Sequence, residues 1–285
     1  MKKSINNLIY KDEWIGEFLG TAILVFFGCG SVAVDVLFNA FGGIFQIAMV
    51  WGVAVMLAIY VCRHLSCAHF NPAVSIAMAA SGRMSKRRLP AYIVAQVAGA
   101  FTAAAILYLL ISPSLEQFEA INQILRGSAE SKRTAMMFGE FYPNPGLGAV
   151  VSLKTAFSAE FFGTFILVLF IFSLTEGANL GRPDDGLAPV FIGLTVSGII
   201  IVIAPLTQAG LNPARDFGPR LFSYFTGWGN AAFPDQVGGF FWVYILAPIL
   251  GGIAAAFVFT KILQPALHNK AKSMGQSISD PGKCC

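Results

Sequence analysis

Residues 211–220, LNPARDFGPR, set an asparagine, a proline and a permanently charged guanidinium between two strongly apolar stretches, and residues 67–75, CAHFNPAVS, repeat the Asn-Pro-Ala triplet in equally apolar surroundings. The chemistry on offer is hydrogen bonding and electrostatics. Asn is a preferred helix N-cap and Pro suits the first helical position, so Asn71-Pro72-Ala73 and Asn212-Pro213-Ala214 each read as a helix start. An asparagine whose carbonyl oxygen caps its own helix has only its amide NH2 left, which donates and cannot accept. Two such amides on one narrow path would both address the oxygen of a passing water and break a proton-conducting wire. The helix N-termini add roughly half an elementary charge each, which repels cations. Arg215 falls at the third helical position, where a cation opposes that dipole, and a charge at membrane depth lines an aqueous path as a rule. It reads as a donor that replaces hydration for an uncharged solute and rejects cations, with snorkelling to the interface as the plainer alternative.

Two further polar residues stand inside apolar runs. Glu17 and Glu160 raise a proton relay of the kind found in pumps. Their matched placement favours a structural brace, each accepting hydrogen bonds from the loop backbone ahead of a triplet. His69 reads as a hydrogen-bonded wall residue, with a pH gate as the alternative. The five cysteines (Cys29, Cys62, Cys67, Cys284, Cys285) have neither metal-ligand spacing nor a disulfide framework. Cys284 and Cys285 raise lipidation, which nothing else in the chain supports. No nucleophile, carboxylate pair or metal cluster is recognisable, so an enzyme is not expected.

These residues need elements that hold them inside a membrane. The chain is 56% hydrophobic and 12% charged, with a mean hydropathy of +0.68, whereas a soluble domain carries about 25% charged residues. The N-terminal MKKSINNLIYKDEW is polar and lacks the apolar core of a cleavable signal. Six apolar segments, at about 14–36, 43–62, 90–112, 153–175, 187–207 and 238–262, each approach the length that crosses a bilayer. Placing both termini and the 63–89 and 176–186 connections in the cytoplasm puts 13 of the 19 Lys and Arg residues there, GRMSKRR at 82–88 foremost.

The segments are written twice. GEFLGTAILVFF at 16–27 and AEFFGTFILVLF at 159–170 lie 143 residues apart, and the triplets 141 apart. Three spans per half is an odd number, so the second half enters upside down, an arrangement that holds a solute site at mid-membrane. The ten or so residues after each triplet make a helix of about 15 Å, half a bilayer. The predicted fold is therefore all-α: six transmembrane helices plus two re-entrant half-helices in an inverted 3+3 repeat. The expected organisation is a cytoplasmic N-terminus 1–12, a channel domain 13–263 and a disordered cytoplasmic tail 264–285. The channel domain comprises repeat one 13–112, an external loop 113–151 and repeat two 152–263.

Two Asn-Pro-Ala motifs in inverted halves with Arg after the second resemble the major intrinsic protein family, the aquaporins and glycerol facilitators, over residues 12–263. The resemblance implies a six-helix bundle in the plasma or inner membrane, assembled as a homotetramer among lipids, with one pore per protomer. It implies passive flux with no nucleotide, metal, cofactor or nucleic-acid partner. Asp216 after Arg215, and Arg220, resemble the glycerol-conducting branch. By position, Trp51, Ile200, Ala209 and Arg215 are implied to form the selectivity ring. Trp51 matches the facilitators. Ile200 and Ala209 depart from their glycine and phenylalanine, and the ring, with Tyr244–Ile245, leans toward the nodulin-26-like branch. The family also implies that backbone carbonyls around Cys67, Ala68, His69 and Phe70, and around Ala209, Gly210 and Leu211, line the pore.

The expectation is a passive channel for small uncharged solutes, glycerol first and with water, urea, ammonia and metalloid hydroxides as further candidates. The rival is a proton-coupled secondary transporter, which shares inverted repeats but needs alternating gates and a titrating relay.

Overall fold

The computed structural model describes residues 2–233 and 239–275, with side chains from residue 11 onward. The described residues form helices joined by loops, with no strand among them: α1 (Lys2–Phe38), α2 (Ile44–Cys62), α3 (Pro72–Ala80), α4 (Leu89–Ile121), α5 (Lys132–Ala135), α6 (Leu153–Thr175), α7 (Ala188–Thr207), α8 (Pro213–Ser223), α9 (Ala247–Val258) and α10 (Gln264–Ser273). Six runs are long and apolar enough to cross a membrane, the last being Phe241–Ser273. Exposed apolar side chains such as Leu109, Phe162, Val202 and Phe257 cover the outside. Water would penalise that surface, and a lipid bilayer accommodates it.

α3 and α8 are the exceptions in length, at 9 and 11 residues. Each starts in the protein centre, so the chain dips in, turns at a triplet and returns to the side from which it came. Alternate traversals put the ends of α2, α3 and α6 on the face where α1 begins and α10 lies. The ends of α1, α4, α7 and α8 lie on the opposite face.

The two halves use the same joints. α1 and α4 cross at Gly99, where an added Cβ would sit 2.2 Å from the carbonyl oxygen of Phe18. α6 and α9 cross at Gly251, with the same atom 2.1 Å from the carbonyl oxygen of Phe161. Only a residue without a side chain permits such backbone approach, as at many close membrane-helix crossings.

Two boundaries differ from the sequence reading. α4 does not stop near residue 112 but runs to Ile121, through Pro113, so the expected loop 113–151 opens with helix. Its next stretch folds against that extension. Arg126 donates to Glu119 and stacks over the Trp228 indole at 4.3 Å, and Trp228 donates to Thr134 at 3.0 Å. The tail expected to be disordered from 264 begins as a helix, α10, on which Gln264 and His268 meet the buried carboxylate of Glu176. The local sequence QPALHNKAKS is too polar to signal packing, and a partner 88 or more residues away provides it. Residues 276–285, with Cys284 and Cys285, lie outside the described residues. The last span is interrupted by π-helical turns at Phe241–Leu246 and Phe259–Leu263, ahead of Pro248 and Pro265, whose missing N–H groups loosen the preceding ladder.

Candidate functional site

Each half-helix begins as its triplet dictates. Asn71 is extended at φ −155° and its Oδ1 accepts from Ala73 N–H at 2.8 Å. Asn212 is extended at φ −147° and its Oδ1 accepts from Ala214 and Arg215 N–H at 3.0 and 3.2 Å. Pro72 and Pro213 occupy the first helical position and, with Ala73 and Ala214, are buried. The remaining amide groups lace the halves together. Asn71 Nδ2 donates to the carbonyl of Leu211 at 2.9 Å, and Asn212 Nδ2 donates to the carbonyl of Phe70 at 2.8 Å. One N–H per amide is used across the pseudo-twofold, and each amide has one more to offer.

The loops that lead into the triplets are strained. Ala68, Phe70, Gln208, Ala209 and Leu211 all have φ between 50° and 62°, a region L-residues avoid and which persists only when surroundings enforce it. The enforcement comes from the two buried glutamates. Glu17 accepts from His69 N–H at 3.0 Å, Phe70 N–H at 2.8 Å, Ser66 Oγ at 2.7 Å and Gln96 Nε2 at 2.7 Å. Glu160 accepts from Gly210 N–H at 2.9 Å, Leu211 N–H at 2.7 Å and Thr207 Oγ1 at 2.6 Å. Tyr244, set by the first π-turn, donates to the Thr207 carbonyl at 3.0 Å. His69 is buried and shares a 3.1 Å hydrogen bond with Ser75 Oγ through Nδ1.

These groups surround a cavity of about 500 Å³ that runs from Arg63 and Asp185, on the face where α1 begins, past Cys67, Ala68, His69, Phe70, Asn71, Gly210, Leu211 and Asn212 to Arg215. Trp51, Ile200, Ala209 and Arg215, which the sequence reading grouped as a ring, all line it. A second cavity of about 140 Å³ opens on the other side, and Trp51 and Ile200 line both. Trp51 and Ile200 thus stand at the junction of the two spaces, while Ala209 and Arg215 line the larger one. Gly28 lies behind Trp51: an added Cβ there would be 2.3 Å from the indole carbons.

The setting of Arg215 differs from a lone cation facing an aromatic wall. Its guanidinium carbon lies 4.3 Å from the Trp51 ring centroid, so the two stack on each other and no solute fits between them. Nη1 donates to the Phe138 carbonyl at 3.0 Å, and Nη2 pairs with Oε1 of Glu140. Phe138 and Glu140 come from the stretch between α4 and α6, which the sequence reading treated as an external loop. Nothing local in GEFYPNPG marks Glu140 as a partner of Arg215.

Asp216 and Arg220 hold that stretch in place. They form a fully buried pair one helical turn apart, with Arg220 Nε donating to Asp216 Oδ2 at 2.9 Å. Asp216 Oδ1 accepts from Glu140 N–H at 2.7 Å, while Arg220 donates to the carbonyls of Glu140 and Ala232. All three charges of the motif PARDFGPR therefore converge on one residue, Glu140. No cluster of three or more His, Cys, Asp or Glu side chains able to hold a metal occurs among the described residues.

The sequence profile of the Major intrinsic protein family matches residues 4–259. The chain is 46% identical to the glycerol uptake facilitator protein of Pseudomonas aeruginosa over 248 residues, 86% of each chain. It is 43% identical to that of Escherichia coli K12 over 257 residues, 89% of this chain and 88% of the relative. It is 39% identical to the propanediol uptake facilitator PduF of Salmonella typhimurium, over 87% of this chain and 92% of the relative. Among solved structures, the aquaglyceroporin from Plasmodium falciparum superposes with a TM-score of 0.78 at 29% identity, covering 90% of this chain and 98% of that one. Paired half-helices laced at their asparagines, a duplicated brace and this breadth of similarity make the chain a member of the major intrinsic protein family.

Proposed function

We propose that this protein is a passive channel for small uncharged solutes, glycerol foremost, with water passing alongside and protons and ions excluded. The observation that carries the reading is the pairing of Asn71 and Asn212. Each amide oxygen is spent on its own helix, so toward the channel each residue only donates. A water or hydroxyl between them turns its oxygen toward both, and the N-terminal ends of α3 and α8 add positive potential at the same place.

Trp51, Ile200, Ala209 and Arg215 act as the selectivity ring. Trp51, packed on Gly28 and stacked on Arg215, offers an apolar ring edge for a carbon backbone, and Arg215 offers N–H donors beside it, an arrangement that suits polyols. The isoleucine removes a site for water, and the alanine leaves the ring tolerant of shape, so urea, ammonia and metalloid hydroxides are further candidates. The relatives named for glycerol and propanediol uptake support this solute class. The face bearing the termini is cytoplasmic, on the distribution of Lys and Arg, and the protein assembles as a homotetramer in the cell membrane, as the family does. A proton-coupled transporter is disfavoured because every oxygen of Glu17 and Glu160 is committed to holding a loop.

The test is stopped-flow light scattering on proteoliposomes. Glycerol flux should exceed that of protein-free vesicles and rise in proportion to the gradient. Saturable flux, or flux that requires a proton gradient, would contradict a channel.

A further inference from the structure

The carboxylate of Glu140 is only half used. Oε1 pairs with Arg215, while Oε2 is buried and has no hydrogen-bond partner. A buried acceptor left unmade is costly, and such an atom calls for a functional or solvent partner. Glu140 is 2% exposed, yet it lines the smaller cavity together with Trp51, Ile200, Ala204 and Gln208, just beyond the ring. The neighbouring polar groups are already engaged: Gln208 Oε1 accepts from Phe141 N–H and Asn144 Oδ1 accepts from Gly146 N–H. The backbone of Glu140 is fixed at both its N–H and its carbonyl by Asp216 and Arg220. Its backbone is accordingly fixed, and Oε2, enclosed in this conformation, meets the cavity by rotation about the side-chain torsions.

We propose that Glu140 is a solute-binding residue: Oε2 accepts a hydrogen bond from a hydroxyl or N–H of the entering solute while Arg215 donates to a neighbouring oxygen of the same molecule. This rests on the channel reading and narrows its solute class to compact neutral molecules that carry a donor and an acceptor within about three bonds of each other, such as vicinal polyols and urea. An arginine alone is donor-only and an ionised carboxylate acceptor-only, so the pair complements a hydroxyl-bearing edge in a way neither does singly. Water is affected less because it turns freely, whereas glycerol packed on Trp51 must present its hydroxyls to one wall.

The closest-shaped perturbation is Glu140→Gln. Arg215 will orient the amide oxygen toward itself, which leaves an NH2 where Oε2 stood and converts the acceptor into a donor. Glycerol and water permeabilities are measured at an alkaline pH that keeps the Glu140 carboxyl ionised and in the same proteoliposomes, so that their ratio is independent of how much protein folds. The ratio should fall about tenfold in Glu140→Gln, the consequence of losing one charge-assisted hydrogen bond, and fall less in Glu140→Asp, which retains the carboxylate. A ratio within twofold of the unaltered protein overturns the proposal. So does an equal fall in both permeabilities, which would mean that Glu140 merely shapes the passage. If the unaltered protein passes no glycerol, the channel reading itself fails and takes this one with it.

Discussion

Glu17→Gln tests the brace in repeat one. The carboxylate accepts four hydrogen bonds, Oε1 from Ser66 and His69 and Oε2 from Phe70 and Gln96. Ser66 and Gln96 can reorient toward an amide, but the N–H groups of His69 and Phe70 are backbone and cannot. Whichever way the glutamine turns, one of those N–H groups faces an NH2. The cost is one charge-assisted bond, about 1.5–3 kcal/mol, plus a buried donor left unsatisfied, about 1–3 kcal/mol. A total of about 2.5–6 kcal/mol is a large share of the roughly 5–15 kcal/mol by which proteins are folded. The Ala68 and Phe70 backbone, held at φ 52° and 50°, is then expected to relax and carry Asn71 away from Leu211. Thermal unfolding in detergent should shift down by about 10 °C, taking soluble-protein scaling, with glycerol flux lost before global unfolding. An unchanged midpoint with unchanged flux would refute the brace. A normal midpoint with flux that has lost only a pH dependence would instead favour the relay. Glu160→Gln should behave alike, since it faces Gly210 and Leu211 in the same way.

Gly28→Ala puts a methyl 2.3 Å from the Trp51 ring; the indole should be driven toward the channel, and the glycerol-to-water ratio should fall while folding is retained. Arg215→Val leaves Glu140 without its counter-charge, so cation and proton leak measured with a potential-sensitive dye should exceed that of Arg215→Val combined with Glu140→Gln; equal leaks would show that the carboxylate carries no influence there. Burial raises the Glu140 carboxyl above the ordinary range, with Arg215 pulling the other way, Asp216 and Glu160 adding to the rise, and Arg220 opposing it. The protonated form, which donates from Oε2, dominates below that raised value, so the glycerol-to-water ratio should climb as external pH rises and should be flat in Glu140→Gln.

What the sequence discloses here is what recurs or what breaks a pattern. Apolar runs of bilayer length, a motif written twice, and an arginine inside a helix start all signal locally, and Glu17 and Glu160 declare their kinship by occupying one position in two copies. Two kinds of information are hidden. The left-handed backbone at Ala68, Phe70, Ala209 and Leu211 is one, because these residue types ordinarily avoid it and only distant glutamates hold them there. The approach of Glu140 to Arg215 is the other, since 75 residues separate them and the contact depends on how the segment after α4 folds back. Asp216 and Arg220 were legible as a branch marker but not as the clamp on that segment. The helix α10 is a related case, where polar local composition conceals a tertiary partner, Glu176.

The central claim is a path that carries solute while refusing protons, and it is tested most directly by measuring both at once. Proteoliposomes loaded with a pH-sensitive dye are given a glycerol gradient, and volume and internal pH are followed together. Shrinkage and recovery with no change in internal pH beyond that of protein-free vesicles is the predicted result. An internal pH change that tracks glycerol entry would contradict the account, because donor-only asparagines at Asn71 and Asn212 leave no wire for the proton to use.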